Sequence, residues 1–425
     1  MQKRFVGGKT PETFVTKKVS TENFFIFFSF VLVLNQPIPF FRMSLQLLFD
    51  PVLQEDIQDF EHFSFINQRF QKHQGAFPDL AKVDIAIVGI LEDRGNPGNE
   101  GAHSGADAIR RALYGLRASH ATYKVADLGN LRPGETLEDS HLRLKEVVRT
   151  LLEHNVLPIL IGGTHDHSLA VIKAYEELGR KITFLNVDSR SDTEPTAQLG
   201  MAHHHISKIL TKHKDVLNRY VHVGYQTYLV DENILAAIDQ HHYFKMRLGE
   251  LRDDFKGVEP IVRSADFLSF DISSIRISEA PANAYGFPYG LTAEEACQIA
   301  WYAGCSRLLS VFGIFELNPG LDYREITANT IGTMIWYVIE GFYNRQDDLT
   351  FSPSETIRYQ VLVPGFHEHD ITFYKGLKSG KWWMQLPPVG EGGHPEMLPC
   401  REEDYILALS GEVPSRWINQ LFSLS

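Results

Sequence analysis

The sequence predicts an α/β fold built on a mainly parallel β-sheet. From Val83 onward, short apolar runs rich in β-branched residues alternate with longer amphipathic segments, which is the pattern of βαβ units. The chain has 425 residues, of which 44% are hydrophobic, so it can bury a large core. These observations fit one large α/β domain with additions, or two ordinary domains.

Apolar runs of suitable length and composition predict the buried strands of this sheet. In chain order they are Val83–Leu91, Tyr123–Leu128, Val156–Ile161, Ile182–Val187, Tyr220–Gly224, Phe267–Ile272 and Leu308–Leu317. Amphipathic periodicity predicts helices between them, at Ala106–Ser119, Leu137–Glu153, Ser168–Leu178, Thr292–Ala303 and Ile326–Tyr343. Functional side chains of such a sheet gather at the carboxyl ends of its strands.

Beyond Asn344 the alternation stops, and residues 346–425 are expected to form a C-terminal extension. Its strand-like pieces are Ile357–Val363, Ile371–Lys375 and Lys381–Leu386. Adjacent Trp382 and Trp383 indicate a small addition packed on the main domain and not a linker.

The N-terminal segment, residues 1–42, does not fit the α/β pattern. Its apolar run Phe24–Leu34 follows Lys17 and Lys18, which resembles a secretory signal, but the run is too short to span a membrane. No small-x-small cleavage site follows, and the sequence from Met43 begins like an ordinary cytoplasmic start. We expect residues 1–42 to be non-native or disordered and the main domain to be 43–345, with a secretory signal as the alternative.

The charge and cysteine content exclude several classes of protein. A net charge of -12 and the lack of a basic run with interleaved aromatics argue against nucleic-acid binding. The three cysteines are scattered, which argues against a disulfide scaffold or a thiolate zinc site. We expect a cytoplasmic protein without a membrane or nucleic-acid partner.

Charged side chains follow four of the predicted strands. His165 comes after a Gly-Gly turn, Asp188, Arg190 and Asp192 follow Val187, and Asp271 and Glu316 end two further strands. If these strand ends meet at one edge of the sheet, the converging carboxylates require a cation or a basic side chain among them. Carboxylates with an imidazole are typical ligands of Mn²⁺.

Each of these residues taken alone has an ordinary structural explanation. A single aspartate such as Asp188 or Asp192 is more often a helix cap or a loop carboxylate. A lone His165 or His167 is more often a hydrogen-bonded loop histidine, and His203–His205 could be a solvated loop. Only the placement at successive strand ends favours a metal site.

Six short motifs together resemble those of the ureohydrolases, the arginase, agmatinase and formimidoylglutamase family. In chain order they are Gly101–Gly105 with Ala108–Arg110, Gly162–His165, Asp188–Asp192, Ser269–Ser273, Tyr289–Thr292 and Phe315–Pro319. The resemblance covers about Val83 to Tyr343 and is closest to the bacterial formimidoylglutamase-like branch. It implies a three-layer αβα sandwich, and such proteins are commonly homo-oligomers.

The resemblance also implies a binuclear manganese site, from which this sequence departs. His165, Asp188, Asp192 and Asp271 match family ligands, whereas Arg190 stands where the family has a second histidine and Ser273 where it has a fourth aspartate. The four retained residues are the protein ligands of one metal, so we expect one Mn²⁺ per chain.

Arg190 is expected to replace the second cation. Three carboxylates would face one divalent cation and one guanidinium, so formal charges cancel. We predict that Arg190 pairs with Asp188 and Asp271.

The family chemistry implies hydrolysis of a linear amidine or guanidine, with Glu316 binding its nitrogens. The family's proton-shuttling histidine is absent before Gly200, so His203, or one of its neighbours His204 and His205, is expected to transfer protons. A formimino carbon needs a weaker nucleophile than a guanidino carbon, which favours release of formamide from N-formimino-glutamate.

Three alternatives compete with this prediction. The chain could be an arginase or agmatinase that releases urea, or a non-catalytic protein with a degenerate metal site. Retention of Glu316 argues against the non-catalytic reading. A dinucleotide oxidoreductase lacks support because the first strand is not followed by the required glycine spacing.

Overall fold

The computed structural model describes residues 45–193, 200–240, 243–347, 349–363, 370–388 and 395–418. The expectation for residues 1–42 therefore lies outside the described residues. The strands are β1 Phe49–Asp50, β2 Gln71–Lys72, β3 Ile85–Ile90, β4 Val125–Leu131, β5 Leu157–Ile161, β6 Ile182–Val187, β7 Leu217–Tyr225, β8 Phe244–Arg247, β9 Phe267–Asp271, β10 Val311–Phe315, β11 Thr356–Val361, β12 Ile371–Gly376, β13 Trp382–Gln385 and β14 Met397–Cys400.

The α-helices flank these strands, and the five longest of those described are the ones that the sequence predicts. They are α1 Gly105–Tyr114, α2 Leu137–Glu153, α3 Ser168–Glu177, α4 His205–Lys212, α5 Glu232–Gln240, α6 Leu248–Asp253, α7 Val258–Arg263, α8 Ala293–Cys305, α9 Ile326–Tyr343 and α10 Glu402–Leu409. In the part of the chain that the structure describes, no helix is long and apolar enough to cross a membrane.

The main sheet runs in the order β1-β4-β3-β5-β10-β9-β6-β7-β8, with β2 also paired to β4. The strands from β4 to β8 along this order are all parallel, and β1 is antiparallel to β4. Strands β3, β5, β6, β9 and β10 are buried along their whole length, as expected when helices cover both faces.

The largest apolar core joins one face of the sheet to α1, α6, α7, α8 and α9. Helices α2 and α3 contribute no residue to that core; they pack on each other and on the opposite face, beside β5. Helices therefore cover both faces of a mainly parallel sheet. The predicted three-layer αβα sandwich is confirmed.

The bounds of several strands and helices differ from the predicted bounds where the backbone leaves regular geometry. The last predicted strand, Leu308–Leu317, is shortened to β10, because Glu316 has a φ of 75° that cannot continue a strand. The first predicted helix ends at Tyr114 because the amide of Ala118 pairs with Ser64 instead. Between β7 and β9 the short elements β8, α5, α6 and α7 were missed, since each is too short for a clear period.

The C-terminal extension forms a second, four-stranded antiparallel sheet in the order β11-β12-β13-β14, followed by α10. Buried Arg263 at the end of α7 donates hydrogen bonds of 3.1 Å to the carbonyls of Trp382 and Cys400. Its guanidinium lies 4.4 Å from the ring centroid of Trp383. The tryptophans thus pack against the main domain.

Candidate metal centre

Four adjacent strands of the sheet deliver the charged side chains to one place. Strands β5, β10, β9 and β6 are neighbours in that order and are parallel, so their carboxyl ends lie side by side. His165, Glu316 and Asp188 follow β5, β10 and β6, and Asp271 is the last residue of β9. The crevice outside these strand ends is the expected position of a site in an open α/β sheet.

The Gly162–Gly163 turn places His165 in this crevice. Both glycines have positive φ values, 80° and 70°, and a Cβ on Gly162 would lie 2.7 Å from the backbone nitrogen of Ala106. Residues with side chains would strain this turn and collide with α1. The glycines therefore let the chain bend sharply after β5 and present the imidazole.

Three carboxylates surround the Nδ1 atom of His165. The distances from this nitrogen to an Oδ2 oxygen are 3.0 Å for Asp192, 3.3 Å for Asp271 and 3.5 Å for Asp188. One ligand atom from each of the four residues lies within 4.8 Å of every other, and all four are buried. The structure thus brings together the four residues that the sequence predicts as metal ligands.

Backbone amides orient two of these carboxylates. The amide of Arg190 donates to Oδ1 of Asp188 at 2.9 Å, and the amide of Ser273 donates to Oδ1 of Asp271 at 2.6 Å. In each aspartate one oxygen is held by the amide two residues later, and the other faces His165. This arrangement fixes the two carboxylates before any ligand binds.

A serine fixes the ring of His165 from the other side. Nε2 of His165 lies 2.9 Å from Oγ of Ser269, and this hydroxyl lies 2.7 Å from Oγ of Ser168. With Nε2–H donating to Ser269, the lone pair of the imidazole is on Nδ1, toward the carboxylates.

The electrostatics of the cluster favour a positive charge among its carboxylates. Burial opposes a charge on His165, but its interactions with the three surrounding aspartates outweigh burial and hold its pKa well above the usual value. Burial raises the pKa of Asp192 well above its usual range, and the charge of Asp188 adds to the increase. Burial would also raise the pKa of Asp188, but the interaction with His165 outweighs burial and lowers the pKa to about 2. Without a cation, protons must neutralise this cluster.

The residues fit a divalent metal ion. Oδ2 of Asp188 is buried and has no hydrogen-bond partner among the described residues, an arrangement that is costly for a carboxylate. Three carboxylates and one imidazole with a prepared lone pair are the ligand types that suit Mn²⁺. A cation bound among these residues would contact Oδ2 of Asp188 and offset the charges of the carboxylates.

Glu316 lies beside the cluster and is held in place by three donors. Its Oε1 accepts the backbone amide of His165 at 2.9 Å, and its Oε2 accepts the side-chain amides of Asn96 and Asn99 at 2.9 and 2.8 Å. Burial, and then the charge of Asp271, raise the pKa of Glu316 to about 8. A cationic group bound against this carboxyl would favour its charged form.

The predicted pairing of Arg190 with Asp188 and Asp271 is not present. No ion pair within 4.0 Å joins the Arg190 guanidinium to these described carboxylates, and only its backbone amide contacts Asp188. The guanidinium carbon instead lies 5.8 Å from the ring centroid of Tyr285. The side chain of Arg190 therefore lines the cleft and does not neutralise the carboxylates of the cluster.

The other predicted histidines lie in different places. His203 is almost fully buried, with Nε2 3.3 Å from Oδ1 of Asn96 and its ring 4.7 Å from that of Tyr285. His167, two residues after His165, lies outside the cluster, with Nδ1 2.8 Å from the carbonyl of Thr164 and its ring 5.1 Å from that of His141.

A narrow cleft opens onto the carboxylate cluster. It is lined by Asn96, Arg190, Asp192, Ala202, His203, Asp271, Ser273, Asn283, Tyr285 and Glu316. The cleft therefore has carboxylates at its base, and the guanidinium of Arg190 and the ring of Tyr285 in its wall.

Sequence reasoning missed several residues of this site. Asn96 and Asn99 lie in the loop after β3 and reach Glu316 from more than 200 positions away, so no local spacing could reveal them. Ser269 did carry a signal, since it lies two residues before Asp271 and so on the same side of β9.

The fold and the crevice define a protein of the αβα class with a candidate metal centre at the carboxyl ends of its central strands. The model of the arginase family matches residues 83–340. This chain therefore belongs to the arginase family.

Proteins similar to this chain include several formimidoylglutamases. A formimidoylglutamase of Clostridium tetani is 25% identical over 285 residues, covering 62% of this chain and 84% of the relative. A formimidoylglutamase of Nocardia farcinica is 26% identical over 282 residues, covering 62% and 88%. A crystal structure of a variant of Trypanosoma cruzi formiminoglutamase, determined with Mn²⁺, has a TM-score of 0.58 and 25% identity, covering 63% of this chain and 95% of that one.

Proposed function

We propose that this protein is a metal-dependent hydrolase of linear amidines that cleaves N-formimino-glutamate into glutamate and formamide. The proposed metal is Mn²⁺, one ion per chain, held by His165, Asp188, Asp192 and Asp271. The similar formimidoylglutamases support the substrate class, and the crystal structure with Mn²⁺ supports the metal.

The observation that carries the proposal is the position of Glu316 beside the ligand cluster. Its carboxylate is buried, oriented by Asn96, Asn99 and the amide of His165, and open to the cleft. A planar amidinium has paired N–H donors that match a carboxylate. A protein with a purely structural metal has no need of this oriented acceptor.

The chain's own residues prepare the reaction around that contact. When bound, Mn²⁺ supplies acidification of water at neutral pH. Glu316 binds the amidinium nitrogens and sets the carbon at a fixed position above the cluster. His203 faces the same cleft and is the proposed group for proton transfer to the leaving nitrogen.

Arg190 supports an anionic substrate over agmatine. Its guanidinium lines the cleft near Tyr285, where it would repel a second cationic group and attract a carboxylate. The glutamate end of N-formimino-glutamate is therefore proposed to bind Arg190.

A non-catalytic metal protein is the second candidate. It is favoured by Arg190 and Ser273, which occupy the two positions where a binuclear site of this family would have ligands. Ser273 is buried, and its hydroxyl lies 3.5 Å from that of Ser189. A guanidinium cannot bind a cation, and a neutral hydroxyl is a weaker ligand than a carboxylate.

The test is an assay of formamide, urea and ammonia release by the manganese-loaded protein. Formiminoglutamate, arginine and agmatine are compared, and we expect formamide from the first alone. Glu316→Gln should lower kcat/KM by about 100-fold or more, because a neutral amide binds the developing charge poorly. Glu340→Gln, at a buried carboxylate that contacts Tyr123 far from the cleft, is the matched control.

Two outcomes would contradict the proposal. Urea release from arginine or agmatine without formamide would assign the chain to another activity of the family. Absence of turnover of every amidine by folded, manganese-loaded protein would favour the non-catalytic candidate.

The role of Arg190 has its own test. Arg190→Ala should raise KM for formiminoglutamate by about 10- to 100-fold, the typical cost of a lost charged hydrogen bond. The same substitution should change the KM for an N-alkylformamidine without carboxylates only slightly. Equal losses for both substrates would show that Arg190 does not bind the carboxylates.

A further inference from the structure

We infer that Asn96 is a positioning residue that joins the carboxylate of Glu316 and the imidazole of His203 in one hydrogen-bonded chain. The inference rests on the proposed function, in which Glu316 binds the substrate and His203 transfers protons, and it names the residue that couples these two groups. Asn96 lies in the loop after β3, is 2% exposed and lines the cleft.

The side-chain amide of Asn96 contacts both groups at once. Its Nδ2 donates a 2.9 Å hydrogen bond to Oε2 of Glu316, and its Oδ1 lies 3.3 Å from Nε2 of His203. Hydrogen bonds of catalytic groups are often long before the substrate binds and shorten in the reacting complex. One amide therefore holds the two groups at a fixed separation.

The orientation of this amide follows from its other neighbours. The backbone nitrogen of Gly98 lies 3.3 Å from Oδ1 of Asn96, and because a backbone N–H only donates, this atom must be the oxygen. Oε2 of Glu316 also accepts the side-chain amide of Asn99 at 2.8 Å, so it acts as an acceptor for both asparagines. The NH₂ group of Asn96 therefore faces Glu316, and its oxygen faces His203.

This orientation fixes the imidazole of His203. An amide oxygen only accepts, so the hydrogen bond requires a proton on Nε2 and sets the direction of the ring. The ring of Tyr285 packs against the imidazole nearly at a right angle, with 4.7 Å between centroids. A primary amide suits this position because it offers a donor to the carboxylate and an acceptor to the imidazole on separate atoms.

The backbone brings the two side chains together. The amide of Ala202 donates a 3.0 Å hydrogen bond to the carbonyl of Gly95, and these are the residues immediately before His203 and Asn96. A Cβ on Gly200 would lie 2.4 Å from the same carbonyl oxygen, so a glycine is needed for the two loops to approach so closely. The loop after β3 and the loop before α4 are therefore joined beside the contact between Asn96 and His203.

The first test reads this contact by nuclear magnetic resonance of the full chain without Mn²⁺, with isotope-labelled histidine. A hydrogen-bonded imidazole N–H in a narrow cleft exchanges slowly with water, so we expect a protected Nε2–H signal that His203→Gln removes. Asn96→Ala deletes the acceptor and should accelerate the exchange by about tenfold or more. Asn96→Asp keeps an acceptor oxygen and adds a charge, so the signal should persist and shift downfield.

Asn99→Ala is the matched control. Asn99 donates to the same oxygen of Glu316, is equally buried, and uses its own Oδ1 to accept the backbone amide of Ala284 at 3.2 Å. This variant should disturb Glu316 and leave the Nε2–H signal of His203 unchanged. Circular dichroism shows whether each variant is folded.

The second test measures the coupling in turnover. Asn96→Ala should lower kcat for formiminoglutamate by about 10- to 100-fold, the typical cost of a misplaced reacting group. In the His203→Gln background the same substitution should cost no more than Asn99→Ala does there, because only the contact with Glu316 is left to lose. Equal costs of Asn96→Ala in both backgrounds would overturn the coupling.

The outcomes separate this inference from the proposed function. A wild-type protein without a protected Nε2–H signal from His203, or an unchanged signal in folded Asn96→Ala, would overturn the inference whatever the protein hydrolyses. A protected signal that depends on Asn96, without turnover of any amidine, would support the contact and overturn only the hydrolase. The wild-type signal needs no variant of Asn96, so a variant that fails to fold leaves the test decisive.

Discussion

Single residues in this protein take unusual conformations where they build the site. Asp192 and Glu316 both have positive φ, at 48° and 75°, although neither is a glycine. Such conformations are costly and persist only where surrounding contacts hold them, which is typical of functional sites. Here the amide of Ile206 holds the carbonyl of Asp192, and Asn99 donates to both the carboxylate and the carbonyl of Glu316.

Ser269→Ala tests how a single hydroxyl positions a ligand. Removing the partner of His165 Nε2 frees the ring to rotate and to change tautomer, so Mn²⁺ affinity should fall by about 10- to 100-fold. Isothermal titration with Mn²⁺ measures this change. Ser306→Ala removes an equally buried hydroxyl at a distant site, beside Arg263, and should leave the affinity unchanged. An unchanged affinity in Ser269→Ala would show that the hydroxyl does not orient the ring.

At the scale of elements, buried ion pairs anchor helices to the sheet. Arg110 of α1 and Asp127 of β4 are fully buried, and Nε lies 2.8 Å from Oδ2. The hydroxyl of Tyr114 donates to the same carboxylate at 2.7 Å. These contacts hold α1 against the sheet close to the Gly162 turn, whose backbone approaches Ala106.

Arg110→Met should lower the free energy of unfolding by about 3–5 kcal/mol, because it leaves Asp127 buried and unpaired. Urea denaturation measures the loss. Adding Asp127→Asn should recover part of it, since the amide is neutral. Lys82→Met, which breaks the exposed pair with Asp79, should cost about 1 kcal/mol or less. Equal losses from the buried and exposed pairs would contradict this account.

A carboxyl at the amino end of β9 predicts a pH dependence of stability. Burial raises the pKa of Asp266 from 3.8 to about 6, against the opposing hydrogen bond from the amide of Thr183. Because the pKa is raised in the folded protein, this carboxyl favours folding least above pH 6, where it must ionise while buried.

Asp266→Asn should therefore gain stability over the wild type as the pH rises. The amide oxygen can still accept the Thr183 N–H, and the difference in unfolding free energy should grow by about 1–2 kcal/mol between pH 5 and pH 7.5. Urea denaturation at both pH values measures it. A difference that is constant with pH, or that shrinks, would show that the carboxyl ionises in the folded state as easily as in water.

At the scale of the whole molecule, the main domain and the C-terminal extension are joined through Arg263. Its guanidinium reaches two carbonyls of the second sheet and stacks on Trp383. Arg219 also pairs with Glu396 of the extension, and Arg401 pairs with Asp254 of the main domain. The extension therefore packs directly on the main domain through Arg263, Arg219 and Asp254, none of which lines the cleft.

Arg263→Met should loosen the extension without changing the site. Hydrogen exchange of amides in β13 and β14 should accelerate by tenfold or more, since each lost hydrogen bond from a charged donor costs about 1.5–3 kcal/mol. Exchange in β5 and β10 should stay at the wild-type rate. Arg401→Met, at a more exposed pair, should have a much smaller effect. Acceleration throughout the chain would show that the two sheets unfold as one unit.

The sequence by itself determined the order of the central strands and long helices and the identity of the charged residues at four strand ends. Strand and helix periods are local properties, and a buried parallel strand is recognisable as an apolar run, as at Ile182–Val187, which the structure reproduces without change. Asp188 and Asp271 follow such runs directly. Their convergence could be expected because carboxyl ends of parallel strands share one edge.

Only the tertiary structure decided which way these side chains point and what supports them. The guanidinium of Arg190 lies near Tyr285 and only its backbone amide contacts Asp188, which charge counting could not show. Asn96 and Asn99 reach the site from another element, because the order of strands in the sheet brings distant segments together. Contacts of this kind depend on packing over long sequence separations, and no local spacing encodes them.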